Sequence, residues 1–149
     1  MNRREIDMLR ANLLLEQNEF NDWVMVDPDT EHFSGYDILT SLLALAGALA
    51  TVSKGLDAGK GLIDRMKKLY RYVRGEKKSA DPGLSEGERM LAMLFDAFLD
   101  GRKSLSDQRI SALSGIGIEA VQRILRQFET SGIVRKRGEE WVFSSMSNQ

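Results

Sequence analysis

The sequence predicts a mainly α-helical chain in two parts: an N-terminal helical module over residues 1–74 and a C-terminal unit over residues 84–149, in which three helices precede a small β-hairpin. Three observations carry this. Apolar residues recur at helical spacing along most of the chain. The stretch Gly75-Glu-Lys-Lys-Ser-Ala-Asp-Pro-Gly83 is polar, lacks that periodicity and ends in Pro-Gly, so it reads as a linker over 75–83. After Gly132 the pattern changes to two short β-prone runs around a basic tip.

The first helix is expected over residues 3–24, where Ile6, Leu9, Leu13, Phe20 and Trp23 or Val24 fall near one face. Asp27-Pro28-Asp29 ends it, since proline cannot donate and restricts its predecessor. Thr30 to Tyr36 reads as a loop. Residues 38–53 are free of charge and rich in Leu and Ala. They fall short of the roughly 20 apolar residues of a membrane span, so a buried core helix is expected. Gly47, Thr51, Gly55 and Gly59 lie four apart and would form a smooth helix-packing stripe that lets a second backbone approach. The other reading is that Gly55, Gly59 and Gly61 break the helix into a loop.

The next helix, over 62–74, puts Leu62, Met66, Leu69 and Val73 on one face with Ile63 and Tyr70 at its edge. Lys60, Lys67, Lys68, Arg71 and Arg74 form its basic side, which is either a solvated face or a surface for an acidic partner. The net charge of −1 hides a strong asymmetry. Residues 1–41 hold 3 basic and 9 acidic side chains, residues 42–79 hold 9 and 3, and residues 80–149 hold 9 and 10. The first two blocks are complementary in sign, so the basic one can answer the acidic one or an outside partner.

In the C-terminal unit, Ser85-Glu-Gly-Glu88 is a capping box. The helix after it carries Met90, Leu91, Leu94, Phe95 and Phe98 on its apolar side and stops near Gly101. Leu105 is an apolar anchor, Ser106 an N-cap, and Asp107 a first-turn acid that suits the helix dipole. Ile110 and Leu113 are expected to point inward, and Ser114-Gly115-Ile116-Gly117 is the turn. At 100° per residue, Val121, Ile124, Leu125 and Phe128 of the third helix share one arc, with Glu119, Gln122, Arg123 and Arg126 opposite. Gly132 suits the C′ position. Ile133-Val134 and Trp141-Val142-Phe143 read as the hairpin, turned by Arg137-Gly138-Glu139-Glu140.

The pattern from Ile110 through Val121, Leu125, Phe128, Gly132-Ile133-Val134 and Trp141 resembles the winged helix-turn-helix superfamily, over residues 85–144. The resemblance implies that the third helix of this unit enters the major groove of duplex DNA while the hairpin, as the wing, touches the backbone. Gln122, Arg123 and Arg126 would then face DNA from the helix, and Arg135, Lys136 and Arg137 from the wing. Arginine matches guanine O6 and N7, and glutamine matches adenine N6 and N7. Basic wing residues would neutralise phosphates and make affinity depend on salt. The sequence departs from this pattern at Glu119 on the reading face, at Gly117 in the usual Ser/Thr cap position, and at Glu139 and Glu140 in the wing.

Catalytic and metal chemistry finds little material. There is no cysteine and one histidine, which excludes disulfides, thiolate metal sites and His-rich metal sites, and suits a reducing cytoplasm. Asp27, Asp29 and Glu31 lack the glycine and terminal glutamate of a calcium loop, and Gly55-x-x-x-Gly59-Lys-Gly61 lacks the full phosphate-loop string. Met1-Asn-Arg-Arg-Glu is charged with no apolar run at once behind it, so no signal peptide is expected. The expectation is a non-enzymatic DNA-binding protein without a cofactor, a small transcriptional regulator or DNA-associated factor that dimerises through its N-terminal helices. The alternative is an adaptor or subunit of a larger complex that uses the winged helix and the Ala/Gly-rich helix for protein contacts. A third reading, ranked below both, has residues 38–74 acting at a membrane surface.

Overall fold

The computed structural model describes residues 2–15, 35–53, 60–75, 83–100 and 103–144. Among them, helices α1 (Arg3–Leu15), α2 (Gly35–Val52), α3 (Lys60–Arg74) and α4 (Glu86–Leu99) are followed by strand β1 (Leu105–Ser106). Helices α5 (Asp107–Ser114) and α6 (Ile118–Thr130) and strands β2 (Val134–Arg137) and β3 (Glu140–Phe143) complete the order. The protein is thus mainly helical, with one small antiparallel sheet. The chain divides into two units, 1–70 and 71–149, with the division inside α3.

In the first unit a reciprocal cap starts α1. The Glu5 amide donates to Asn2 Oδ1 at 2.8 Å, and the Asn2 amide donates to Glu5 Oε1 at 3.1 Å. Leu9 and Leu13, four apart, are fully buried, and α1 packs on α2. The expected continuation to residue 24, with Phe20, Trp23, Val24 and the Asp27-Pro28-Asp29 stop, lies outside the described residues. At Gly35 and Tyr36 the expected loop is corrected, because α2 begins at Gly35. No proline or glycine separates Tyr36 from the apolar run, so the helix extends back into it. Leu42, Leu45, Ala46, Ala48 and Leu49 of α2 are buried, as expected for a core helix. No helix among the described residues is long and apolar enough to cross a membrane.

Helix α3 buries Leu62, Ile63, Met66 and Leu69. Ile63 was expected at the edge of this face and is instead 1% exposed, because a globular helix buries a wider arc than a single i, i+4 row.

In the second unit the capping box forms as written: the Glu88 amide donates to Ser85 Oγ at 3.1 Å and the Ser85 amide to Glu88 Oε1 at 2.9 Å. Met90, Leu91, Leu94 and Phe95 of α4 are buried. Phe143 of β3 meets Phe95 and Phe98 edge-on, at centroid distances of 5.2 and 5.5 Å. Such aromatic pairs contribute beyond the area they bury. Ser106 caps α5 by accepting from the Arg109 amide at 3.1 Å. Gly115 then adopts φ of 74°, which ends α5 in a left-handed residue.

Leu113 corrects an expectation: it is 48% exposed, while Ile110 and Ser114 are buried. Ile110 and Ser114 are four apart and occupy the inward row that Leu113 was expected to share. The Ser114 hydroxyl is fully used there, donating to Ile110 O at 2.7 Å and accepting from the Ile116 amide at 3.1 Å. Ser111 Oγ donates to Ile116 O at 2.6 Å, and Arg89 Nη1 donates to Ser114 O at 3.2 Å. The turn between α5 and α6 is therefore held by hydroxyls within it and tied to α4.

Helix α6 buries Val121, Ile124, Leu125 and Phe128, the arc expected from the sequence. It ends in a Schellman motif. The Ile133 amide donates to Phe128 O at 2.8 Å and the Gly132 amide to Glu129 O at 3.0 Å, with Gly132 at φ of 79°. The chain enters β2 directly. The hairpin differs from expectation in two ways. Strand β2 reaches Arg137, so Arg135 and Lys136, expected near the tip, lie within the strand, while the expected Arg137-Gly138-Glu139-Glu140 turn closes between the paired Arg137 and Glu140 with Gly138 at φ of 65°. A third strand, β1, joins the far edge of β3, giving the order β1-β3-β2 with Leu105 and Lys136 on either side of Trp141. A two-residue strand has no periodicity to read, and its pairing is set by a partner distant in sequence.

Candidate functional site

The exposed polar side of α6 and the basic strand β2 border the same groove. Gln122, Arg126 and Glu129 recur at helical spacing along one strip of α6, since the buried arc fixes the helix rotation. Strand β2 reads buried at Val134 and exposed at Arg135, Lys136 and Arg137. A groove of about 340 Å³ lies between these elements, lined by Asp107, Gln122, Arg126, Glu129, Lys136 and Trp141.

One carboxylate organises it. Trp141 is 6% exposed, and its indole Nε1 donates to Asp107 Oδ1 at 2.7 Å. Gln122 Nε2 donates to the other oxygen, Asp107 Oδ2, at 3.2 Å. Lys136 Nζ stands 5.3 Å from the centroid of the Trp141 ring, within the range of a cation–π contact. Asp107 thus links the start of α5, the middle strand and the exposed side of α6.

Of the residues expected to bind DNA, Gln122, Arg126 and Lys136 come together in the groove. Arg123 is exposed but turned the other way along α6, with Nη2 4.0 Å from Glu86 Oε1 at the start of α4. Arg135 pairs in register with Val142 on the exposed part of β2, and Arg137 pairs with Glu140 beside the tight turn. Glu119 is exposed in the first turn of α6, and Glu140 accepts from Ser104 Oγ at 2.6 Å on the β1 side. Gly117 is the N-cap of α6 and offers no side-chain cap bond.

The other candidate residues lie apart from this groove. Lys60 opens α3, Lys67 is half-buried, and Lys68, Arg71 and Arg74 are exposed. Gly47 lies in α2, where an added Cβ would meet no atom within 4 Å, and Thr51 turns its hydroxyl back to Gly47 O at 3.1 Å. Among the described residues, none therefore makes the expected close backbone approach at Gly47. Gly55 and Gly59 lie outside the described residues.

The chain matches no protein-family model, no curated protein and no solved structure. The site stands on its own geometry.

Sequence reasoning read Asp107 only as a dipole-compensating acid and Trp141 only as a strand residue. A signal for their union was present, since a buried indole N–H requires an acceptor. The sequence does not say which acceptor, because the two residues are 34 positions apart.

Proposed function

We propose that residues 84–144 form a winged helix-turn-helix that holds duplex DNA, with α6 in the major groove and β2 and β3 as the wing. In this reading the protein is a small cytoplasmic transcription regulator or DNA-associated factor, not an enzyme, and dimerises through its N-terminal helices. One observation carries it: Gln122, Arg126 and Lys136 are presented together from a helix and a basic strand around one groove. A duplex offers base edges inside its groove and phosphates on its rim, so a reader needs polar side chains on an element that fits the groove and cations beside it. The α6 face and the Arg135-Lys136-Arg137 strand answer those two needs.

Fluorescence binding to random-sequence duplex across a salt series, with particle size measured in parallel, tests the proposal. Log affinity should fall linearly with log salt, with a slope of about −0.9 for each phosphate neutralised. No retention at the lowest salt overturns it. In a dimer, half-sites about one helical turn apart should bind best.

A second reading, an adaptor or subunit whose winged helix meets protein, is favoured by Leu113 and Ile118. These are 48% and 37% exposed on either side of the α5–α6 turn, next to Glu119. It expects a stable protein complex that forms without DNA and is lost on Leu113→Ser.

A further inference from the structure

The groove contains an acid where a DNA-binding surface should avoid one. Asp107 lines it beside Gln122 and Arg126, and a carboxylate facing phosphates costs affinity. Its hydrogen bonds give it a use. We propose that Asp107 is a positioning residue that fixes the amide of Gln122 in the orientation that selects adenine. The inference rests on the DNA-binding reading above.

An unconstrained glutamine amide rotates about its last torsion and exchanges its oxygen and nitrogen ends. In that state it has no preferred polarity toward a base edge. An ionised carboxylate only accepts hydrogen bonds, so only the nitrogen end of Gln122 can face Asp107 Oδ2, as it does at 3.2 Å. This leaves Oε1 as the free acceptor and one N–H of Nε2 as the free donor. Adenine shows the matching pair in the major groove, a donor at N6 and an acceptor at N7. Guanine shows two acceptors, N7 and O6, and the fixed Oε1 would face one of them without a hydrogen. The polarity imposed by Asp107 therefore discriminates between the two purines.

The carboxylate is itself held. Its Oδ1 accepts the indole N–H of Trp141, which is almost fully buried in the middle strand between Leu105 and Lys136. Its backbone begins α5 directly after the Ser106 cap. Rotation of Asp107 away from Gln122 would break the indole bond and leave a buried N–H without an acceptor, which is costly. Lys136 over the same indole ring places a cation near the carboxylate and offsets its repulsion of phosphate.

The test is selection from a duplex library randomised over one helical turn, with the full-length parent and the variants Asp107→Asn, Gln122→Ala and the double variant, together with the salt slope of each. The parent should prefer adenine at one position by roughly 5- to 150-fold, the range for a bidentate contact. Asp107→Asn, whose oxygen must keep accepting the Trp141 indole and whose Nδ2 then donates to Gln122 and turns its Oε1 away from the base, should lose most of that preference while the other positions stay unchanged. Gln122→Ala should lose it fully, and Asp107→Asn should cause no further change in the Gln122→Ala background. A merely structural Asp107 would instead weaken all positions and act in both backgrounds. Gln122 is exposed, so its alanine variant reports on the adenine position even if Asp107→Asn folds poorly.

Adenine preference unchanged in Asp107→Asn overturns the inference. So does a parent that binds the library with no adenine position, which leaves the DNA-binding reading intact. A parent that retains no duplex overturns both.

Discussion

The indole of Trp141 donates to the carboxylate of Asp107 at 2.7 Å, joining the middle strand of the sheet to the first turn of α5. The bond has a charged acceptor and a nearly buried donor, so it belongs to the stronger class of hydrogen bonds. Trp141→Phe keeps most of the ring packing and removes the donor, and should lower the unfolding free energy by about 1–3 kcal/mol. Trp141→Ala also opens a cavity and should cost about 3–5 kcal/mol. Urea unfolding of the two variants separates the bond from the packing. A phenylalanine variant as stable as the parent would show that the bond adds nothing.

The helix starts of the second unit differ in quality. Ser85 caps α4 through a reciprocal pair with Glu88, while Gly117 caps α6 with no side chain. Ser85→Ala should therefore cost about 0.5–2 kcal/mol. Gly117 has φ of −59° and open space where a Cβ would stand, so a side chain fits without strain. Gly117→Ser should stabilise the unit by a few tenths of a kcal/mol through the missing cap bond. If α6 enters DNA, the same hydroxyl stands near the backbone and should tighten binding as well. Thermal unfolding and duplex titration of the one variant read both effects. Lower stability in Gly117→Ser would contradict the cap geometry.

The local parts of this fold were legible in the sequence and the long-range parts were not. The capping box at Ser85, the left-handed stop at Gly132 and the buried arc of Val121, Ile124, Leu125 and Phe128 depend on residues a few positions apart, and each formed as expected. Strand β1 exists because Leu105 meets Trp141, and the groove exists because Asp107 meets Trp141 and Gln122. Those pairings are chosen by packing across the unit, which periodicity does not record. Leu113 shows the same limit within one helix. Its spacing from Ile110 fits an inward face, but a serine with both hydrogen bonds satisfied took that row. Among the residues expected to bind DNA, Gln122 and Arg126 were legible as exposed positions of α6, whereas Arg135 and Lys136, expected near the hairpin tip, lie within β2, and the turning of Arg123 toward Glu86 depends on the placement of α4.

Gly47 separates stability from assembly. Outside the chain neighbours and the backbone of its own helix, no atom lies within 4 Å of the position a Cβ would take there, so the first carbon of a side chain fits, and a gain in helix propensity of up to about 1 kcal/mol should help keep a Gly47→Leu single chain folded. If the N-terminal helices dimerise through this face, the larger side chain should raise the dissociation constant of the oligomer without unfolding the protomer. Sedimentation over a concentration series checks the second effect and urea unfolding the first. An unchanged oligomer with unchanged stability would remove the Gly47 face from the dimer interface. Leu9→Ala is the contrasting case: it removes a fully buried side chain and should cost about 2–5 kcal/mol.

If the second unit binds DNA as proposed, the two α6 arginines should not contribute equally. Arg126 lines the groove with Gln122 and Lys136, while Arg123 lies on the other side of the helix face, 4.0 Å from Glu86. That ion pair is largely exposed, so it restrains Arg123 weakly and withdraws only part of its charge from an incoming phosphate. Arg126→Ala should therefore weaken duplex binding more than Arg123→Ala. If Arg126 contacts a base edge, its loss should be about 1–3 kcal/mol and should relax selectivity at one position. Lys136→Ala should weaken binding nearly equally for all sequences and reduce the magnitude of the salt slope by about 1. Glu86→Gln, which frees Arg123, should tighten binding slightly at low salt and have no effect at high salt, where exposed charges are screened. Titration of the four variants at two salt concentrations distinguishes these outcomes. Equal losses for Arg123→Ala and Arg126→Ala would place the DNA across the whole exposed face of α6 and not along the groove.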